Sequence, residues 1–476
     1  MDGLEVVELK LSEVLEDNKS FRFDSEYFKK EYLALQKQIY NYPHKQLGDF
    51  SKVTDGEHGS VIFQKNGIKY LTAENIKKGI VDISNIRYVT KEVDERNKRA
   101  SVKVGDILIS IKGTLGEVAI AEPWLLPANM NRDVAIIKNK YKNDFLDGYI
   151  VLFLMSKIGN KLSERLGSGG VQQMITLERL RTLMIPKLSN NIQNKVSYLY
   201  ELSRKKLEDS KTLYKEAENL LLEELNLLDF KPTKESISIK SFSESFGSSG
   251  RLDSEYYLPK YDEVDKKFEK YKKIKLNKLV KYSISSGATP KAGGADYTDK
   301  KSGIPFIRAV NIIDSKVEFD NVLFVKDYVH NKKLKKTKLK ENDVLFSIAG
   351  TVGRCGISYY KKEANINQAV AILRFDDNII RRLYLILFFN SEIGKLYISK
   401  YSRQGLQTNL NLDEIGNLEI PIIDYTLQTQ IESKIKESFR LKEESKRLLE
   451  LAKRSVEVAI EEGEDRAMRL IKERGL

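Results

Sequence analysis

Five segments of this chain occur twice in the same order, and that duplication restricts its fold more than any other feature. RFDSEYF at 22–28 returns as RLDSEYY at 251–257, and YLTAENI at 70–76 returns as FIRAVNI at 306–312. GDILISIKGTLGE at 105–117 returns as NDVLFSIAGTVGR at 342–354, and NMNRDVAII at 129–137 as NINQAVAIL at 365–373. GVQQMITLERLRTLMIP at 170–186 returns as GLQTNLNLDEIGNLEIP at 405–421. The separation stays between 229 and 237 residues across all five pairs. One unit of roughly 235 residues therefore fills nearly all of a 476-residue chain, which is itself too long for a single core.

Each copy opens with short β-type runs (DILISI and VAII, then DVLFSI and VAIL) set between Gly and polar residues, as in a mixed α/β (α+β) globule. An apolar helix-like stretch follows at 146–162 and at 382–398, then a Gly-Gln turn, a segment ending in Ile-Pro, and a long polar-rich helix. In 190–228, Val196, Leu199, Leu207, Leu213, Leu220 and Leu225 recur largely at three- and four-residue steps. The second copy repeats the stripe within roughly 424–473, through Ile431, Ile435, Phe439, Leu448 and Val456. A narrow apolar seam on an otherwise Lys- and Glu-rich helix suits a coiled-coil partner, and each seam has a match in the other copy. The alternative is two independent helices, each packed on its own globule. Antiparallel pairing needs the shorter connection, because the first helix ends where the second globule, and then the second helix, begins. About 40 residues at 1.5 Å each make a rod of roughly 60 Å, with a globule at each end and a pseudo-two-fold axis between them.

Lys and Arg outnumber Asp and Glu by 81 to 68, a net charge of +13 that favours a polyanionic partner. Cys355 is the only cysteine, which excludes an intramolecular disulfide and a multi-cysteine zinc site. No signal peptide is visible, and the longest apolar run, LYLILFF at 383–389, is too short to span a bilayer, so a soluble cytoplasmic protein without a membrane partner is expected. Catalytic motifs are absent: no GxxxxGK[ST] phosphate loop, no GxSxG elbow, no HExxH pairing among His44, His58 and His330, and no NPPY- or DPPY-like tetrapeptide. GTLG at 113–116 and GTVG at 350–353 lack full GxGxxG spacing and read as tight turns after a strand, with phosphate contact as the second reading.

Basic residues precede those turns in both copies: Arg96, Lys98, Arg99 and Lys103, then Lys332, Lys333, Lys335, Lys336, Lys338 and Lys340. Such residues can hold backbone phosphates, positioning a protein on DNA without conveying sequence. Base reading needs Arg for guanine and Asn or Gln for adenine. The candidates are Lys112, Thr114, Arg132, Gln172 and Gln173 in the first copy. In the second they are Arg308, Arg354, Gln368, Arg403, Gln404, Gln407 and Thr408. Differences at aligned polar positions suit two readers of different half-sites; a drifting surface gives the same pattern.

With RLDSEYYLPKY at 251–261, the paired GDILIS…GTLG and NDVLFS…GTVG segments, and the two Ile-Pro segments before long helices, the chain resembles the specificity (S) subunits of Type I restriction-modification enzymes over nearly its whole length. The resemblance implies two target-recognition domains, at 1–188 and 230–423, each reading half of a split double-stranded DNA site. It implies spacer helices at 189–229 and 424–476, packed antiparallel, that set the gap and dock two modification (M) subunits. Those subunits bind S-adenosylmethionine and methylate adenine, while restriction (R) subunits use ATP and Mg. The S subunit itself holds no cofactor or metal and catalyses nothing. One departure is that Gln173 corresponds to Thr408, which puts a shared role for that position in doubt. A fused methyltransferase or nuclease with unrecognised motifs, and a coiled-coil scaffold that never touches DNA, are the alternatives.

Overall fold

The computed structural model describes residues 6–15, 18, 22–169, 173–291, 293–375, 378–402 and 409–474. The chain divides into two compact units, one of residues 1–207 with 442–476 and one of residues 208–441. Both divisions fall inside a long helix, so each unit contains a piece of both long helices.

In unit 1 the central sheet is antiparallel, with strands β1 (Ser51–Asp55), β2 (Ile107–Ser110), β3 (Val118–Ile120) and β4 (Val134–Asn139) in the order β1-β4-β2-β3. Unit 2 repeats it with β5 (Ser285–Ser286), β6 (Val344–Ser347), β7 (Cys355–Ile357) and β8 (Val370–Leu373) in the order β5-β8-β6-β7, and extends it past β7 by the short strands Lys316–Val317, parallel to β7, and Ile312–Ile313. The register repeats as well: Val134 faces Ser110, and Val370 faces Ser347. These strands read as apolar runs rather than alternating ones because both faces are covered. Ile107 and Ile109 point into a core shared with the helices, while Leu108 points into a second core beneath a smaller sheet. Val344 and Phe346 divide from Leu345 in the same way. The smaller sheet sets Ile68–Leu71 antiparallel to Arg87–Val89 and parallel to Ala128–Met130. Its counterpart sets Ile304–Ile307 between Leu323–Val325 and Asn365–Ile366 with the same two senses.

Each apolar stretch that reads as one helix in the sequence is in fact two. Unit 1 has α1 (Asp147–Met155) and α2 (Lys157–Leu166), and unit 2 has α3 (Arg382–Asn390) and α4 (Glu392–Tyr401). Ser156 and Ser391 make the break, each capping the second helix by accepting from the N–H of Gly159 or Gly394 at 3.1 Å. Glycine is required there, since a Cβ would overlap the carbonyl of Phe153 or Phe388.

The long helices span Asn190–Glu224 and Tyr425–Glu462. A fully buried glutamine fixes the first turn of each. Gln193 accepts from Leu146 N–H at 3.0 Å and donates to Leu188 O at 2.8 Å; Gln428 accepts from Arg381 N–H at 2.9 Å and donates to Ile423 O at 3.0 Å. In unit 1 the helix pieces run antiparallel, as Ser189 meets Glu464, Ser203 meets Ser445 and Lys206 meets Glu444. In unit 2 they do so again, as Ser210 meets Ser438 and Glu216 meets Lys434. Val196, Leu199, Leu448 and Val456 are buried in the unit 1 core, and Ile431, Ile435 and Phe439 in that of unit 2, so one stripe serves both globule and partner helix. Leu220 is half-buried against the unit 2 core; Leu207 and Leu213 are half-buried and belong to neither cluster. The contacts from side chain to facing backbone come instead from serines that the apolar pattern passes over. Ser203 donates to the Ser445 carbonyl at 2.8 Å, and Ser210 and Ser438 donate to each other's carbonyls at 2.7 Å. A hydroxyl reaches a facing backbone only where the two helices approach closely, and a larger side chain would prevent that. The second long helix also stops short of the stretch its periodicity suggests: Gly463, at φ +96°, ends it, and Glu464–Glu473 forms a separate helix.

Replacing Ser203 by Leu is expected to destabilise the helix pair of unit 1 by roughly 1–3 kcal/mol through overpacking. Ser203→Ala should cost about 0.5–1.5 kcal/mol, the worth of one hydrogen bond. Amide hydrogen exchange along 199–206 measures both, and equal protection in wild type and Ser203→Leu would contradict the close approach.

Candidate nucleic-acid interface

Where β1 ends in unit 1, the chain must turn past the β4 side of the sheet with no room to spare. Gly56 is the turning residue, because a Cβ there would overlap the carbonyls of Met130 and Asn131. Gly287, after β5, meets the carbonyls of Ile366 and Asn367 in the same way. The neighbouring backbone is zipped to the turn entering β4, with Glu57 N–H on Met130 O and Arg132 N–H on Glu57 O, both at 3.0 Å.

This turn gathers a charged cluster. Asp55 and Glu57, with side chains only 10% and 13% exposed, lie beneath three exposed basic or polar groups. Asp55 Oδ2 pairs with His58 Nε2 at 2.7 Å, and Asp55 Oδ1 lies 3.3 Å from an Arg99 terminal nitrogen that also donates to Gly56 O. That Arg99 contact is an ion pair only; Oδ1 is buried and accepts no hydrogen bond of good geometry. Glu57 accepts from Gly59 N–H at 2.9 Å, from the Asn97 amide, and from Arg96 at 3.3 Å. The Gly59 N–H first, and then the Asn97 amide, hold the Glu57 carboxyl below its usual range.

The same rim carries Lys112, 3.9 Å from Asp133 and bridged through its backbone to Met174, the residue after Gln173. The structure thus brings Arg99, Arg132, Lys112 and Gln173 onto one rim of unit 1, with Lys98 in the adjoining turn and exposed Thr114 in the loop after β2. Buried Asn129 pins the basic turn Lys98–Ala100, donating to Asp94 at 2.7 Å and to Asn97 O at 3.3 Å. Its counterpart Asn365 pins Lys335–Thr337, donating to Leu334 O at 2.9 Å and accepting from Thr337 at 2.7 Å.

In unit 2, Lys335, Lys336 and Gln368 are exposed at the matching places, and Ala349, bridged to Asn409, stands where unit 1 has Lys112. Arg308 is half-buried at the end of the smaller sheet, where it precedes the turn Ala309–Asn311, and its Nε has no hydrogen-bond partner among the described residues. Arg354 is exposed where the GTVG turn re-enters β7, at the position Glu117 holds in unit 1. Gln172, Arg403, Gln404, Gln407 and Thr408 lie outside the described residues. Sequence reasoning missed Asp55, Gly56, Glu57, His58 and Asn97. The signal for Asp55 to His58 is negative: the two copies share no recognisable segment between their Asp-Ser-Glu-Tyr motifs and the first strand of the smaller sheet.

Among the described residues, no group of three or more His, Cys, Asp or Glu side chains is placed to hold a metal ion. None of their helices is long and apolar enough to cross a membrane.

A family model described as the Type I restriction modification DNA specificity domain matches residues 16–219 and again residues 268–451. Over 141 residues the chain is 27% identical to the Type I restriction enzyme EcoBI specificity subunit of Escherichia coli, a match spanning 30% of this chain and 30% of that relative. It is similar to the S subunit of a Type I restriction-modification system from M. genitalium, at 12% identity and a TM-score of 0.45, over 87% of this chain and 95% of that one. The HsdS subunit from Thermoanaerobacter tengcongensis matches at 13% identity and a TM-score of 0.29, over 89% and 97% of the two chains.

Gly56→Ala is expected to destabilise unit 1 by roughly 1–3 kcal/mol, because backbone carbonyls cannot yield to a methyl group. Gly59→Ala should be nearly neutral, since its Cβ would meet only the flexible Glu57 carboxylate. Urea unfolding of the two variants checks the pair; equal stability would contradict the packing at Gly56.

Proposed function

We propose a function on one premise: the chain belongs to the Type I restriction-modification DNA specificity family. It reads a split target on double-stranded DNA, one half per unit, and brings partner methyltransferase and restriction subunits to that address. The observation that carries this reading is the coincidence of two family matches with two structurally repeated units. Each unit presents an exposed basic turn pinned to its sheet by a buried asparagine.

The mechanism is binding. Lys98, Lys335 and Lys336 suit phosphate contact, where each neutralised phosphate releases counterions and makes affinity fall steeply with salt. Arg132, Lys112, Gln173 and Gln368 suit base edges. Residues 1–188 and 230–423 act as the two readers, and the long helices within 189–229 and 424–476 set the gap and carry two M subunits. This chain then performs no chemistry of its own: S-adenosylmethionine belongs to the M subunits, ATP and Mg to the R subunits.

The test is a map of methylated sites made by the chain with its M partner, before and after residues 1–188 are exchanged for the same segment of another S subunit. One half-site should change while the other half and the gap persist. Changes in both halves contradict separate readers. Methylation by the purified chain alone contradicts the division of labour.

A further inference from the structure

The two units differ where β1 and β5 end. Pairing of Asp55 with Ala135 and of Ser286 with Ala371 puts Asp55 and Ser286 at equivalent positions, each followed by the obligatory glycine. Glu57 then corresponds to Ala288, and Arg99 to Lys336. Unit 1 has two mostly buried carboxylates under two arginines; unit 2 has Ser286 and Ala288 in place of the carboxylates and lysines in place of the arginines, with Lys333, the counterpart of Arg96, paired with Asp296 at 2.7 Å instead.

We propose that unit 1 reads a guanine in its half-site through Arg99 and Arg96, and that Asp55 and Glu57 are the positioning residues that aim them. This rests on the reading of the chain as a DNA-recognition subunit. The guanidinium groups are displayed, with side chains 53% and 60% exposed, yet each is held at one terminal nitrogen: Arg96 donates to Glu57 at 3.3 Å, and Arg99 donates to Gly56 O at 3.3 Å with Asp55 Oδ1 at ion-pair distance, also 3.3 Å. The other terminal nitrogen of each has no partner among the described residues. A guanidinium carries five donors in a rigid plane, so fixing one corner orients the rest toward paired acceptors such as guanine O6 and N7. Tethering also weakens the alternative role: a cation beside a carboxylate exerts little long-range pull on a phosphate, but its donors keep their direction. Lys335 and Lys336 have the opposite character, being point charges with no carboxylate at 286 or 288 beside them. The halves of the target are thus read by different chemistry.

Glu57 adds a second restraint. Its carboxylate joins the Gly59 N–H, the Asn97 amide and Arg96, tying the loop after β1 to the basic turn. Loss of that carboxylate should loosen arginine direction without unfolding the sheet, whose hydrogen bonds it does not share.

The experiment is a map of methylated sites made by the assembled complex of full-length chain and M subunits on DNA from a host lacking the system. Variants are Arg99→Lys, Arg96→Lys, Asp55→Asn and Glu57→Gln. The half-site assigned to unit 1 by segment exchange should contain a guanine, and Arg99→Lys or Arg96→Lys should lower preference at that single position by about tenfold or more. Asp55→Asn and Glu57→Gln should weaken the same position, with the other half-site and the gap unchanged. That persistence separates aiming from a structural role, since misfolding would lower methylation at every position alike. A unit 1 half-site without guanine, or full preference kept in both arginine variants, overturns the proposal while leaving the split reading intact. A wild-type map with no split motif overturns both.

Discussion

The close approach of two helices through serine is the contact on which the rest of the molecule depends. In each unit a buried hydroxyl donates to a backbone carbonyl of the facing helix, which holds only if the side chains at the crossing stay small. The same register puts Val196 opposite Ala452 in unit 1 and Ala217 opposite Ile431 in unit 2, all four fully buried. Each core is closed by residues of both long helices. Leu448, Ala452 and Val456 complete the first, and Ala217, Leu221 and Leu225 join the second. Unit 1 joins residues 1–207 with 442–476, so its core is complete only when these distant stretches of chain meet, whereas unit 2 is the continuous stretch 208–441.

That arrangement leaves one rim of each unit free for function. The helices cover one face of the central sheet and the smaller sheet covers the other, so polar groups concentrate where strands end. Buried Asn129 and Asn365 hold a basic turn against the sheet in both units, which makes the turn part of the scaffold. Next to it, the loops diverge. Unit 1 builds a tethered cluster from Asp55, Glu57, Arg96 and Arg99, while unit 2 places lysines there without carboxylates at the equivalent strand end. A shared scaffold with unlike loops is what the proposed reading of two different half-sites requires.

Much of the fold was legible in the sequence because duplication doubles every signal. The strands, the paired helices and their stripe follow from apolar patterns that occur twice. The serine crossings were not legible, since Ser203 and Ser210 look like the polar face of an amphipathic helix until the facing backbone is known. The breaks at Ser156 and Ser391 were hidden inside apolar runs, and only the capping geometry reveals them. Arg99, Lys112, Arg132 and Gln173 are legible as residue types, and their role at bases is proposed. Asp55 and Glu57 were missed because a search for donors passes over the acceptors that orient them. Which bases the target contains is not written in any pattern, since one loop substitution alters one contact and nothing else.

The claim of two readers on one duplex is tested most directly by hydroxyl-radical footprinting. The complex of the chain with its M subunits would be bound to a duplex carrying the sequence it methylates. The account predicts two protected patches separated by a stretch whose base sequence can be changed without loss of binding. A single continuous patch in which every base matters, or protection that does not depend on sequence, would contradict it.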